Sequence, residues 1–255
     1  QFSHLHHRFN FLLALPQSDT ESILADTLAR QGVDVEWRTA VTGVRQQGDE
    51  VVVTLEGPGG PQEARFDRVF GADGVRSTVR SAIGQPFDGH THEREWSIAD
   101  AEMAEWPYEP ETANTFLHPN GDVAFAIPIG PARYRVVSNT PDALAAVPGR
   151  FRLARLLRDG TFRIAVRQAP SYQVGGVFLG GDAAHVHSPV GGRGMNLGME
   201  DAASFARRAA TDALGGYTDE RHPIGQRWIA GSERALAAAQ SVNPFVTCRR
   251  CSSRC

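Results

Sequence analysis

The chain has 255 residues, a formal net charge of −3 and 41% hydrophobic residues, which suits one large domain or two smaller ones with a substantial core. No basic run precedes the final residues, and no apolar run approaches the roughly 18–20 residues that span a bilayer, which argues against a nucleic-acid partner and a membrane span. All three cysteines lie in the last eight residues. A body without cysteine fits a reducing, cytoplasmic location.

The N-terminal residues predict a strand and a helix. The strand extends from Arg8 to Leu15. Ser18 followed by Glu21 has the spacing of a capping box, which predicts a helix from Asp19 to Gln31 that ends at Gly32. Four residues of this helix share one face and are interpreted as core: Ile23, Leu24, Thr27 and Leu28.

The next region predicts a β-hairpin. The sequence Gly-Pro-Gly-Gly at positions 57–60 is typical of a turn, and extended runs flank it at Val51–Leu55 and Glu63–Phe66. This glycine-rich stretch does not have the G-x-G-x-x-G spacing of a phosphate-binding turn.

Residues Val69 to Arg80 read V-F-G-A-D-G-V-R-S-T-V-R. An apolar strand ends at Gly71, Asp73-Gly74 forms a turn, and a short helix follows that stops at Gly84. Asp-Gly is a common turn dipeptide, so these residues alone leave a purely structural interpretation open.

Residues 96–138 predict an antiparallel sheet. Short extended runs alternate with turns around Pro119-Asn120-Gly121 and Gly130-Pro131. The runs are Trp96–Ala99, Asn114–His118, Asp122–Pro128 and Tyr134–Ser138.

The stretch from Val177 to Ala202 carries the strongest signal. An apolar strand leads into two glycines and Asp182, and a turn with one proline and three glycines leads to a helix that begins near Met195. Glycines allow a flat ligand to approach the backbone, and unpaired N–H groups at a helix N-terminus receive negative charge. An ordinary strand–turn–helix connection is the alternative. His185 and His187 have no catalytic-triad partner or metal-ligand spacing in the sequence, so neither is assigned as a base or a ligand.

The C-terminal region predicts a helix from Gln226 to Gln240, followed by a tail with the pattern C-x-x-C-x-x-x-C that starts at Cys248. Zinc usually takes four ligands, and the residues around these cysteines are polar and unpatterned. No metal site is predicted, and the role of the tail stays open.

These segments resemble motifs of the FAD-dependent aromatic hydroxylases of the p-hydroxybenzoate hydroxylase type. The G-D-A sequence around Asp182 and the P-x-G-G-x-G-x-N run after it resemble the flavin-contacting motif, and Val69 to Arg80 resembles the D-G fingerprint of the same family. Tyr217 to Pro223 resembles a Y-x-x-E-R-x-P element that follows the flavin helix. The resemblance covers roughly residues 8–225.

The resemblance implies a cofactor site. It assigns Asp182 to the ribityl chain of FAD, Asp73 with Gly74 to the neighbourhood of the pyrophosphate, and Gln17 to a flavin contact at the first helix. An exposed polar residue after a proline is the alternative for Gln17. The remaining implied flavin neighbours are Gly181, Pro189, Gly191, Gly192, Gly194, Met195 and Asn196. Backbone N–H groups at a helix N-terminus would stabilise the anion of the reduced flavin.

The implied fold class is α/β, with a glutathione-reductase-like FAD-binding domain and an antiparallel-sheet substrate domain. The expected FAD-binding domain comprises residues 17–88 and 171–214, the substrate domain comprises 1–16 and 89–170, and a C-terminal helical segment and tail comprises 215–255. The family's N-terminal strand, G-x-G-x-x-G turn and helix are missing from the sequence, so we expect the chain as given to hold FAD weakly.

The implied function is a monooxygenase that uses FAD and NAD(P)H, reacts with molecular oxygen and hydroxylates an aromatic or polyketide-like substrate through a flavin hydroperoxide. The cofactor carries the chemistry, so no catalytic side chain is assigned. Five residues of the middle sheet are candidates for lining the substrate cavity, and half of them are expected to be core: Trp96, Phe116, His118, Phe125 and Tyr134. An epoxidase or reductase of the same fold and a truncated, non-catalytic chain are the alternatives.

Overall fold

The computed structural model describes residues 13–240, and their side chains up to residue 238. These residues divide into two units, one made of residues 13–35 and Arg94–Phe162 and the other of Glu36–Glu93 and Arg163–Ala239. The mixture of helices with mostly antiparallel strands confirms the predicted α/β class. No helix among the described residues is long and apolar enough to cross a bilayer.

The described part of the chain contains twelve strands and four α-helices. The strands are β1 (Ala40–Gln47), β2 (Glu50–Gly57), β3 (Gly60–Phe66), β4 (Val69–Gly71), β5 (Asp88–Glu105), β6 (Asn114–Leu117), β7 (Val123–Gly130), β8 (Arg133–Ser138), β9 (Arg152–Gln168), β10 (Gln173–Val174), β11 (Val177–Leu179) and β12 (His185–Val186). The helices are α1 (Gln17–Arg30), α2 (Thr78–Ala82), α3 (Gly194–Ala210) and α4 (Tyr217–Gln240).

The first helix differs from its prediction in two respects. It begins at Gln17 directly after Pro16, and no side chain of the described residues caps it. Ser18 lies inside the first turn and donates to Asp19 Oδ1, so the predicted capping box is not formed, because the helix begins after Pro16, two residues earlier than predicted. The predicted core face is also wrong: no residue of α1 is buried, since helical spacing gathers apolar residues on one side but the described residues do not cover that side.

The larger unit contains two small sheets. Strands β1, β2 and β3 form an antiparallel sheet in that order, and Gly57 pairs with Gly60 across the turn of the predicted hairpin. The second sheet has the order β10-β11-β4, in which β11 and β4 are parallel. A buried cluster that includes Val51, Val177 and Phe178 forms the core beneath these strands.

The other unit contains the predicted antiparallel sheet. Strand β8 pairs on one side with residues 97–102 of β5 and on the other side with β7, which also pairs with β6. Trp96 and Tyr134 are only 1% and 2% exposed, and the Tyr134 ring stacks on Trp106 with 4.3 Å between centroids. These two candidates for the substrate lining are therefore core residues, while His118 is partly exposed and bonds the carbonyl oxygen of Ala146.

The last helix begins nine residues earlier than predicted, at Tyr217, and continues through Pro223. A proline in a helix removes one backbone hydrogen bond. The residues of α4 that precede Pro223 are held by tertiary contacts. Tyr217 donates to the Leu179 carbonyl oxygen at 2.9 Å, and the Arg221 guanidinium bonds Asp201. The predicted strand at residues 8–12 and the cysteine tail lie outside the described residues, and residues 13–15 are not a strand.

Candidate functional site

Both sequence motifs end on the same edge of one small sheet. Strands β4 and β11 are parallel neighbours, with Phe70 opposite Phe178 and Gly71 opposite Leu179. The Gly180 amide donates to the Gly71 carbonyl oxygen at 3.0 Å. The Asp73 turn and the Asp182 turn therefore both start at the carboxyl ends of adjacent parallel strands, which is where open α/β sheets bind their ligands.

The Asp73 carboxylate is used within its own segment. One oxygen accepts from the Ser77 hydroxyl and the other accepts from the Val79 amide at 3.1 Å. The Ser77 hydroxyl oxygen in turn accepts from the Arg80 amide at 2.8 Å. These bonds satisfy the free amides at the start of α2, so Asp73 acts here as a capping group.

Arg80 joins the two motifs. Its guanidinium donates to the Ala183 carbonyl oxygen at 3.0 Å and to the Val75 carbonyl oxygen at 2.8 Å, and it lies 3.9 Å from the centre of the Phe87 ring. Burial lowers the pKa of this side chain, and the nearby Asp73 opposes that change. The Arg80 side chain thus holds the Asp182 turn against the Asp73 turn, although Arg80 and Ala183 are 103 residues apart in the sequence.

The Asp182 turn is tightly packed on its inner side and open on its outer side. A Cβ atom at Gly180 would lie 2.2 Å from Cζ of Phe70, so only glycine fits this contact. The Asp182 side chain is exposed, and none of the described residues engages its carboxylate. Asp182 is therefore free to accept hydrogen bonds from a ligand.

The predicted turn and helix follow directly. Gly191 and Gly192 have φ values of 97° and 62°, a region that favours glycine, and the Gly192 amide donates to the Pro189 carbonyl oxygen at 2.9 Å. Helix α3 has no side-chain cap, and its first backbone bond links the Leu197 amide to the Arg193 carbonyl oxygen. The preceding amides therefore lack acceptors among the described residues, and they belong to Gly194, Met195 and Asn196.

A buried ionic cluster lies behind the turn. Asp201 is fully buried, and its carboxylate accepts from His185 Nε2 at 2.8 Å, from the Gly181 amide at 2.9 Å and from Arg221 Nε at 2.6 Å. His185, to which the sequence assigns no role as base or ligand, thus has the buried Asp201 as its partner. Because Asp201 also bonds the turn that carries Asp182, it positions the loop.

Gln17 lies in the other unit. It occupies the first position of α1, is exposed, and donates from Nε2 to Glu21 Oε1 at 2.7 Å. The predicted flavin contact of Gln17 stays a prediction.

Comparisons with known proteins identify the family. The sequence profile described as FAD binding domain matches residues 2–146 and 147–232. The chain belongs to this FAD-binding domain family. The chain is 33% identical to a rifampicin monooxygenase of Streptomyces venezuelae over 92% of this chain and 54% of the relative. It is 30% identical to a pentachlorophenol 4-monooxygenase of Sphingobium chlorophenolicum over 91% of this chain and 48% of the relative.

The fold agrees with this assignment. The solved structure of an anhydrotetracycline hydroxylase from Streptomyces rimosus matches with a TM-score of 0.79 and 30% identity, over 94% of this chain and 53% of that structure's chain. The chain thus spans about half the length of the relatives it matches. The resemblance to aromatic and polyketide hydroxylases found in the sequence is confirmed.

The groups that the described residues leave free have the chemistry needed to bind FAD. Asp182 offers an unengaged carboxylate, and the α3 N-terminus offers three free amides. A Cβ atom built at Gly191, Gly192 or Gly194 would meet no atom of residues 13–240 within 4 Å, so this part of the structure leaves the backbone open to a flat ring. A free carboxylate can accept hydrogen bonds from hydroxyl groups such as those of the ribityl chain of FAD. A helix N-terminus can bind an anion such as the reduced flavin ring.

The Asp201 cluster predicts a stability change in acid. Burial alone would raise the pKa of Asp201, but the bonds from His185, Gly181 and Arg221 together outweigh burial and hold the pKa below its ordinary value. The pKa of an aspartate in the unfolded chain is about 3.9. Because the pKa of Asp201 is lower in the folded state, its ionised carboxylate stabilises the fold at pH values above about 3.9. This stabilisation is lost as the pH falls through the pKa of the folded state. We expect urea unfolding of the wild-type chain to become easier from pH 5 to pH 3, with a weaker pH dependence in Asp201→Asn. Equal pH profiles for the two proteins would contradict this account.

Proposed function

We propose that the chain is the FAD-binding part of a monooxygenase that uses NAD(P)H and molecular oxygen to hydroxylate an aromatic or polyketide-like substrate. The observation that carries the proposal is the arrangement of two turns on one sheet edge. These turns leave the Asp182 carboxylate and the amides of Gly194, Met195 and Asn196 free. The names of the relatives, which include a rifampicin monooxygenase and a pentachlorophenol 4-monooxygenase, support the reaction class.

The side chains of this region act by binding and positioning. Asp182 would accept a hydrogen bond from a ribityl hydroxyl, and the amides at the start of α3 would stabilise negative charge on the ring. Bound FAD would supply the redox chemistry, accepting a hydride from NAD(P)H and activating oxygen. Arg80 and Asp201 would hold the two turns in place through the Ala183 carbonyl oxygen and the Gly181 amide.

The substrate would be held by the antiparallel sheet of the other unit. We propose that Phe116, His118 and Phe125, which are partly exposed, contribute to its binding surface. The assignment of a substrate role to residues 89–170 and of an FAD role to residues 17–88 and 171–214 is part of this proposal, as are a cytoplasmic location and the cofactor roles of Gln17, Asp73 and Gly74.

Replacement of Asp182 tests the cofactor part of the proposal. A hydrogen bond to a charged group contributes about 1.5–3 kcal/mol, or roughly ten- to a hundred-fold in affinity. We expect Asp182→Ala to weaken FAD binding by this factor in a fluorescence titration that extends to millimolar FAD. Asp67→Ala is the matched control, because Asp67 is also exposed and none of the described residues engages its carboxylate. Equal FAD affinity for the two variants would remove Asp182 from the site.

Turnover tests the reaction. The protein that carries this chain should oxidise NAD(P)H faster when a phenolic or polycyclic aromatic substrate is present, and the product should gain the mass of one oxygen atom. In an ¹⁸O₂ atmosphere the product should carry the heavy isotope. NAD(P)H oxidation without oxygen transfer to any of these compounds would assign the chain to a different flavoprotein reaction.

A further inference from the structure

Two histidines and a glutamate meet on the surface of the larger unit and belong to neither of the turns described above. His90 and His92 are two residues apart on β5, so both side chains lie on the same face of the strand. Their Nε2 atoms lie 3.3 Å and 3.0 Å from the two carboxylate oxygens of Glu233 on α4. The potential ligand atoms of the three residues all lie within 4.8 Å of one another.

We propose that His90, His92 and Glu233 form a binding site for a divalent transition metal ion, with Zn²⁺ as the ion whose chemistry fits best. Zinc binds imidazole nitrogen and carboxylate oxygen at about 2.0–2.2 Å with tetrahedral geometry, so neighbouring ligand atoms lie roughly 3.3–3.5 Å apart. The two nitrogen–oxygen separations of 3.0 Å and 3.3 Å are already close to this value. Small side-chain rotations would direct all three ligands to one point.

The surroundings are compatible with a cation. Thr91 lies between the two histidines on the strand and therefore points to the opposite face, where its hydroxyl accepts from Arg167. The guanidinium is thus kept on the other side of the strand. The side chains of His90, His92 and Glu233 are 58%, 30% and 28% exposed, so an ion can enter from solvent and a water molecule can take the fourth position.

The binding of a metal at this point would link the start of β5 to α4. His92 and Glu233 are 141 residues apart in the sequence, so the ion would join two distant segments of the chain that both belong to the larger unit. Metal sites that exist only in the folded state stabilise that state. The proposed site does not depend on FAD binding and has a role separate from the proposed oxygenation.

The test uses the full chain with Cys248, Cys251 and Cys255 replaced by serine, because thiolates in the tail would compete for the ion. Zn²⁺ is titrated at pH 7.5 in competition with a chromophoric chelator, and the melting temperature is recorded with and without Zn²⁺. We expect one Zn²⁺ site that His92→Gln or Glu233→Gln weakens at least about 10- to 100-fold, the loss caused by changing even an outer-shell partner of a metal ligand. Zn²⁺ should raise the melting temperature of the parent chain but not that of the two variants.

His118→Gln is the matched control, because His118 bonds a backbone carbonyl oxygen outside the cluster. This variant should keep the Zn²⁺ affinity of the parent. His4, His6 and His7 are present in every variant, so any zinc that they bind is common to all and cancels in the comparison. A parent chain that binds no Zn²⁺, or a double variant His90→Gln/His92→Gln that binds it as well as the His118→Gln control, would overturn the proposal.

Discussion

Replacement of Asp201 by alanine is expected to lower the free energy of unfolding by about 3–5 kcal/mol, because removal of one partner leaves the other charge buried without compensation. Arg221, which is 5% exposed, would lose the Asp201 carboxylate and keep only the half-exposed Glu200 at 3.6 Å. His185 Nε2 and the Gly181 amide would lose their acceptor at the same time. Urea denaturation followed by circular dichroism at pH 7 measures the change.

Glu200→Ala is the matched control for this experiment. Glu200 is the neighbouring acid on α3, is half-exposed, and lies 3.6 Å from Arg221 and 3.7 Å from Arg193. The pair with Arg193 is exposed on both sides, and pairs of this kind contribute about 0–1 kcal/mol. In a double-mutant cycle, Arg221→Met should cost less in the Asp201→Ala background than in the wild type. If Asp201→Ala unfolds at the same urea concentration as Glu200→Ala, the buried cluster does not stabilise the fold as described.

Local structure was predictable because the deciding signals are local. Three elements depend on glycine, proline and apolar spacing within a few residues. They are the turn at Gly57–Gly60, the strand that ends at Gly71 and the helix that starts near Met195. The helix begins at Gly194, one residue before the predicted position. The family resemblance rests on two of these segments, and the structure places both on adjacent parallel strands.

Partners that are distant in sequence were not predictable. Arg80 bonds the carbonyl oxygen of Ala183 across 103 residues, and Asp201 bonds Arg221 across 20. No periodicity encodes such pairs, because they depend on how the elements pack. The bonds of Asp73 are local by contrast, since both of its carboxylate oxygens cap α2 within six residues, and its place near the pyrophosphate stays a prediction.

Exposure was the hardest property to predict. The apolar face of α1 has core-like spacing, yet Ile23 and Leu24 are 58% and 49% exposed. Periodicity shows which residues share a face but not what covers it. The proposed metal site was hidden for a different reason, its separation in sequence. The spacing of His90 and His92 gives no indication that Glu233, 141 residues after His92, lies beside them.

Replacement of Gly194 by valine is expected to reduce FAD affinity by roughly 100-fold or more, the scale on which single donors of a preorganised anion site act. The branched side chain would occupy the space in which the flavin ring is proposed to approach the amides of Met195 and Asn196. Folding should not change, because a Cβ atom at Gly194 meets nothing within 4 Å and the residue does not have a positive φ. Gly191 and Gly192 are poorer test positions, since their positive φ values would strain any other residue.

Gly231→Val provides the matched control for Gly194→Val. Gly231 also lies in a helix, has no positive φ, and leaves open space where a Cβ atom would be. Valine replaces glycine with a small gain in helix propensity at both positions, so both variants should keep native far-ultraviolet circular dichroism and the same urea midpoint within error. Only Gly194→Val should lose FAD in a fluorescence titration. If both variants bind FAD equally well, the flavin ring does not lie against the N-terminus of α3, and the free amides there serve a different ligand.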